Sequence, residues 1–117
     1  MARAIDIDKR TFEFAVNICK LADKISNTTP SRKTLSSQIV RSGTSIGANI
    51  EEAQAAESKA DFIHKYSIAL KEARETRYWL RLLVASNTVR KEDLTGLTKE
   101  IDEVCRIIAQ IIINARK

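Results

Sequence analysis

Arg74, Arg77 and Arg81 are spaced three and four residues apart, a spacing that draws side chains into one line on a helix. Lys71 lies one turn before Arg74 and off to the side, and Tyr78 and Trp79 fall inside the same stretch. A guanidinium is a planar fork of donors that fits carboxylate or phosphate oxygens. Two partners are therefore open. One is the phosphate backbone of a nucleic acid, with stacking on the neighbouring aromatic rings. The other is carboxylate: Glu72 and Glu75 on the same stretch, or the acidic segment before it from an adjacent subunit. Lys71, Arg74, Arg77 and Arg81 are the candidate nucleic-acid-binding residues. Trp79, beside the main apolar seam, is expected at a helix–helix or subunit contact rather than on an open stacking platform.

Other chemistry finds little support. Glu51 and Glu52 are adjacent, with Glu57 a turn later, but neighbours on a helix point about 100° apart. They are read as partners for the basic segment that follows, within the chain or between subunits, not as an acid–base pair or a metal site. His64 is the only histidine, so any Ser–His or Cys–His pair must use it, and it is expected exposed. Cys19 and Cys105 fall in apolar stripes and are expected buried as small hydrophobes. The Glu-x-x-His pattern of di-iron bundles and the Gly-rich phosphate loop are both missing. No cofactor, no metal and no enzymatic activity are expected.

The elements that must carry these residues are helices. The chain has 117 residues, enough for one domain, with 3 Gly, 1 Pro and only 5% aromatic residues, which disfavours turn-rich β architectures. No apolar run reaches the length of a membrane span and no secretory signal opens the chain, so a cytoplasmic protein is expected. The net charge of +5 is unevenly spread: residues 34–58 carry −2 and residues 59–90 carry +4. Helices are predicted at about 8–26, 31–57, 59–86 and 90–115. Asp6 or Asp8, Thr29 followed by Pro30, Ser58 and Thr88 are the candidate caps. Gly96 weakens the first turn of the last helix.

Bundle seams support the division. Phe62, Tyr66, Ala69, Ala73, Thr76, Leu80 and Leu83 step by fours and threes, as do Leu94, Leu97, Ile101, Val104, Ile108 and Ile111. The first helix has two seams, Phe14-Ile18-Leu21-Ile25 and Phe12-Ala15-Cys19-Ala22, and so is expected to touch two neighbours. Short connections predict an all-α, antiparallel up-down-up-down four-helix bundle filling residues 1–117. The second helix adds to its apolar line (Leu35, Ile39, Ile46, Ile50, Ala53) a polar one: Gln38, Ser42, Ser45, Asn49 and Glu52. Gly43 and Gly47 share a face between them. Glycine is costly inside a helix, so both are expected against another backbone, with Asn49 hydrogen-bonded. Gly43, Ser45, Gly47, Asn49, Glu51, Glu52 and Trp79 are the candidate structural or interface residues.

Residues 38–53, QIVRSGTSIGANIEEA, resemble the second helix of the 23S rRNA intervening-sequence proteins. Phe62, Ala69-Leu70-Lys71-Glu72-Ala73 and Tyr78-Trp79-Leu80 are similar to that family's third helix. The resemblance spans almost the whole chain and is specific in residues 38–83. It implies a four-helix bundle assembled as a homopentameric ring. It also implies kinship with accessory proteins of diversity-generating retroelements, whose basic ring engages reverse transcriptase and nucleic acid. It carries over no catalytic residue. Glu52-Ala53 stands where many members have Glu-Gly, a departure expected to straighten the helix end.

The leading expectation is a non-enzymatic homo-oligomer that binds RNA, DNA or a nucleoprotein partner through basic side chains. The alternatives are a structural or protein-interaction module whose charges only join subunits, and a hydrolase or metal enzyme on a bundle scaffold.

Overall fold

The computed structural model describes residues 7–25 and 27–117. Its helices are α1 (Ile7–Lys24), α2 (Pro30–Ala53), α3 (Lys59–Ala85) and α4 (Thr95–Arg116), the last preceded by one 3-10 turn at Lys91–Leu94. Thr29 is extended, its hydroxyl accepts from the Arg32 amide at 3.2 Å, and Pro30 takes the first helical position of α2. Ser58 starts α3 in the same way, accepting from the Asp61 amide at 3.0 Å. Asp6 and Ser26, the expected cap and end of the first helix, lie outside the described residues. Asp8 sits within the first turn of α1.

Two boundaries differ from expectation. α2 ends at Ala53, short of Glu57, because the amides of Gln54, Ala55 and Ala56 reach back only three residues, each at 3.1 Å. That tightening uses the last carbonyls and lets Ser58 swing into its extended cap. Thr88 does not cap α4. α3 closes on Asn87, which is left-handed at φ 60°, and the Asn87 and Thr88 amides fold back onto the Val84 and Leu83 carbonyls, each at 3.0 Å. The Thr88 hydroxyl bonds to that of Ser86 at 2.9 Å. α4 therefore starts from the 3-10 turn with no side-chain cap.

Each helix packs on the next and α4 returns to α1, closing a ring around one core. Contacts run in opposite order along consecutive helices. Lys65 and Thr76 of α3 meet Glu52 and Ser42 of α2. Thr11, Ile18 and Ala22 of α1 meet Gly47, Gly43 and Ser36 of α2. The resulting rod measures 47 × 24 × 19 Å.

The α3 seam from Tyr66 to Leu83 is buried, as are Leu94 of the 3-10 turn and Ile101, Val104 and Ile108 of α4. The α4 seam then passes to Ile112 in place of Ile111, because a 3.6-residue helix drifts from a 3.5-residue repeat. On α1 only the first seam is buried. Phe12 and Cys19 of the second are exposed, which corrects both the two-seam expectation and the burial expected for Cys19.

Candidate nucleic-acid interface

The site begins with the helix that supports it. A Cβ on Gly43 would stand 2.9 Å from Ile18 Cγ2, and one on Gly47 would stand 3.2 Å from Thr11 Oγ1. Both glycines therefore face α1, within the protomer. On the other side of α2, Ser42 is fully buried and shares a 2.9 Å hydrogen bond with Thr76 of α3. Ser45 donates to the Arg41 carbonyl at 2.6 Å, and the Asn49 amide donates to the Ser45 carbonyl at 2.8 Å. These side chains satisfy themselves on their own helix.

This register sets Arg41 opposite the acidic pair of α3. Its guanidinium bridges Glu72, at 3.2 Å, and Glu75. Trp79, half-buried, donates its indole N–H to the same Glu75 at 3.0 Å. Glu72 and Glu75 are thus taken by α2, not by the arginines of their own helix, contrary to one of the pairings expected from the sequence. Arg41 was legible as the only cation of residues 34–58. Its partners required the antiparallel register. Glu52 pairs with Lys65 at 2.7 Å, which raises the Lys65 pKa through that hydrogen bond, while Glu51 is exposed.

With its carboxylates turned to α2, α3 presents cations elsewhere. At 100° per residue, Lys71, Arg74, Tyr78 and Arg81 lie within an arc of about 80°, opposite the buried Ala73, Thr76, Leu80 and Leu83, and all four are exposed. None of the three cations has an ion pair among the described residues. Arg77 leaves this line. It leans to α4, 3.6 Å from Asp102, because the same count sets it about 60° round from Arg74. The line of three arginines is therefore a strip of Lys71, Arg74 and Arg81 with Arg77 beside it. A shallow groove between α3 and α4 adds Arg116 and is lined by Ser67, Leu70, Lys71, Arg74, Ile112 and Arg116, with no carboxylate. Arg116 escaped sequence reasoning, since its place beside the strip depends on how α3 and α4 abut.

Among the described residues, thiol and imidazole chemistry has no corresponding centre. His64 is exposed. Cys105 is buried, and burial raises its pKa against the pull of nearby Arg77 and Arg74. Reactive thiols need the opposite shift. No group of three His, Cys, Asp or Glu side chains among the described residues could hold a metal ion. None of the described helices is long and apolar enough to cross a membrane.

These features define a four-helix bundle whose third helix separates its charges, acids toward α2 and cations without an ion pair among the described residues outward. The chain belongs to the 23S rRNA-intervening sequence protein family, whose model matches residues 3–110. It is also similar to a crystallised protein of unknown function from the S23 ribosomal protein family of Bacteroides thetaiotaomicron. That likeness has 43% identity and a TM-score of 0.85, and covers 91% of this chain and 97% of that one. No curated protein matches the chain.

Proposed function

We propose that this protein is a non-enzymatic, self-associating bundle that binds nucleic acid, alone or within a nucleoprotein, through the outer face of α3. The observation that carries this reading is the strip of Lys71, Arg74 and Arg81, exposed and without carboxylate partners among the described residues, continued across the groove by Arg116. Like charges held at this spacing repel unless an anion answers them, and a phosphate backbone is a repeating anion of matching sign. Glu52, an expected answer from an adjacent subunit, already has Lys65. Self-association would multiply the strip by symmetry, and the family resemblance suggests five copies.

A protein-interaction role is favoured by one separate observation. Phe12 and Val16 are 68% and 38% exposed, four residues apart on α1. α1 stands across the bundle's diagonal from α3, so an interface there leaves the cationic strip free.

The test replaces the strip without touching the core. Lys71→Gln/Arg74→Gln/Arg81→Gln is expected to abolish binding of a fluorescent RNA or DNA oligonucleotide at low salt. Arg10→Gln, which alters only the α1–α4 pairing, should retain it. Equal binding by wild type and the triple variant would reject the reading.

A further inference from the structure

We infer that the α3 strip recognises single-stranded nucleic acid by stacking an unpaired base on Tyr78. This rests on the nucleic-acid reading above and names the form of strand it takes.

Tyr78 is 52% exposed, and it sits among the cations rather than over the core. Arg74 precedes it by four residues and Arg81 follows by three, which places them about 6 Å and about 4.5 Å away along the helix axis. A base lying on the ring would therefore have cations on both sides for its flanking phosphates. The ring is also held. Tyr78 and Trp79 meet edge to face, with centroids 5.2 Å apart and planes at 71°. Trp79 is in turn fixed by its 3.0 Å hydrogen bond to Glu75, and Glu75 by Arg41. This chain crosses from α2 to the outer face of α3 and leaves Tyr78 standing on an immobilised neighbour. A ring ordered before binding loses less entropy when a base settles on it.

The strand form follows from what each nucleic acid offers. In a duplex the base faces are stacked on one another, and a tyrosine on a convex helix meets only backbone and sugar. In a single strand every base has a free face. Stacking on an aromatic side chain then contributes without regard to base identity. Charge complementarity alone would not favour either form, so the exposed ring is what selects the single strand.

The experiment compares fluorescent oligouridylate with a duplex of equal length, using the full chain and the variants Tyr78→Phe and Tyr78→Leu. Wild type should favour the single strand. Tyr78→Phe should match it, and Tyr78→Leu should weaken single-strand binding by about 5- to 150-fold, the range for one stacked base, leaving duplex binding unchanged. Trp79 is the only tryptophan, so its emission should change on adding the single strand but not the duplex. Melting curves of the variants should match wild type, since Tyr78 is exposed. If Tyr78→Leu binds the single strand as wild type does while the triple strip variant does not, stacking is wrong and the cationic face stands. Equal losses for both strand forms would also overturn the selection proposed here. If wild type binds neither at low salt, the nucleic-acid reading fails and this inference with it.

Discussion

The three glycines separate close packing from mere helix weakening. Gly43 abuts the branched, fully buried Ile18, whose Cβ and both γ carbons leave no flexible end to move aside. Gly43→Ala should therefore destabilise the protein by about 1–3 kcal/mol, the usual range for overpacking, reduced by the better helix propensity of alanine. Gly47→Ala meets the Thr11 hydroxyl at 3.2 Å and the Thr11 backbone at 3.4 Å, a milder crowding, and should destabilise less than Gly43→Ala. A Cβ at Gly96 would meet no atom within 4 Å, and the backbone there is not left-handed, so Gly96→Ala should stabilise by about 0.4–1 kcal/mol. Denaturant midpoints of the three variants check this order, and a Gly43→Ala midpoint above that of Gly96→Ala would contradict it. The shared face of Gly43 and Gly47 was legible from their spacing. That α1 supplies the opposing surface was not, because periodicity names a face and not its neighbour.

At the scale of elements, charge pairing closes the bundle where the helices touch least. Arg10 of α1 reaches α4 at Glu100, 2.8 Å away, and at Glu103, 2.5 Å away. These hydrogen bonds raise the pKa of Arg10, and the bond from Arg10 lowers that of Glu103. A carboxyl lowered in the folded state contributes stability that is full above its unfolded pKa and is lost as pH falls through the folded one. Glu103→Gln should thus melt below wild type at neutral pH, and the two should converge in acid; a constant gap across that window would show that Glu103 does not act through its charge. The helices themselves were largely readable: seams of threes and fours, Thr29-Pro30 and Ser58 located them. The pairings were not. Arg41 finds Glu75, and Arg77 finds Asp102, only through interhelical register, which no single helix encodes. The end of α2 and the start of α4 were misplaced for a related reason. Their last and first turns are shaped by 3-10 bonds that side-chain pattern does not mark.

Over the whole molecule, the exposed face of α1 and the cationic face of α3 lie on opposite sides of one rod. Phe12 and Val16 should drive self-association, so Phe12→Asp/Val16→Asp should scatter light as a 13.2 kDa monomer while wild type scatters as a multiple of that mass. A monomeric wild type at micromolar concentration would contradict this. The cationic face of α3 is proposed to answer phosphate through Lys71, Arg74 and Arg81. The direct measurement is the oligonucleotide association constant of wild type and of Arg74→Gln/Arg81→Gln across a series of salt concentrations. Each phosphate neutralised on a single strand should add about 0.7 to the slope of log K against log salt. Wild-type affinity should therefore fall steeply with salt, and the double variant should lose about 1.4 of slope for each strip engaged. Identical slopes for the two proteins, or a wild-type affinity indifferent to salt, would contradict the account.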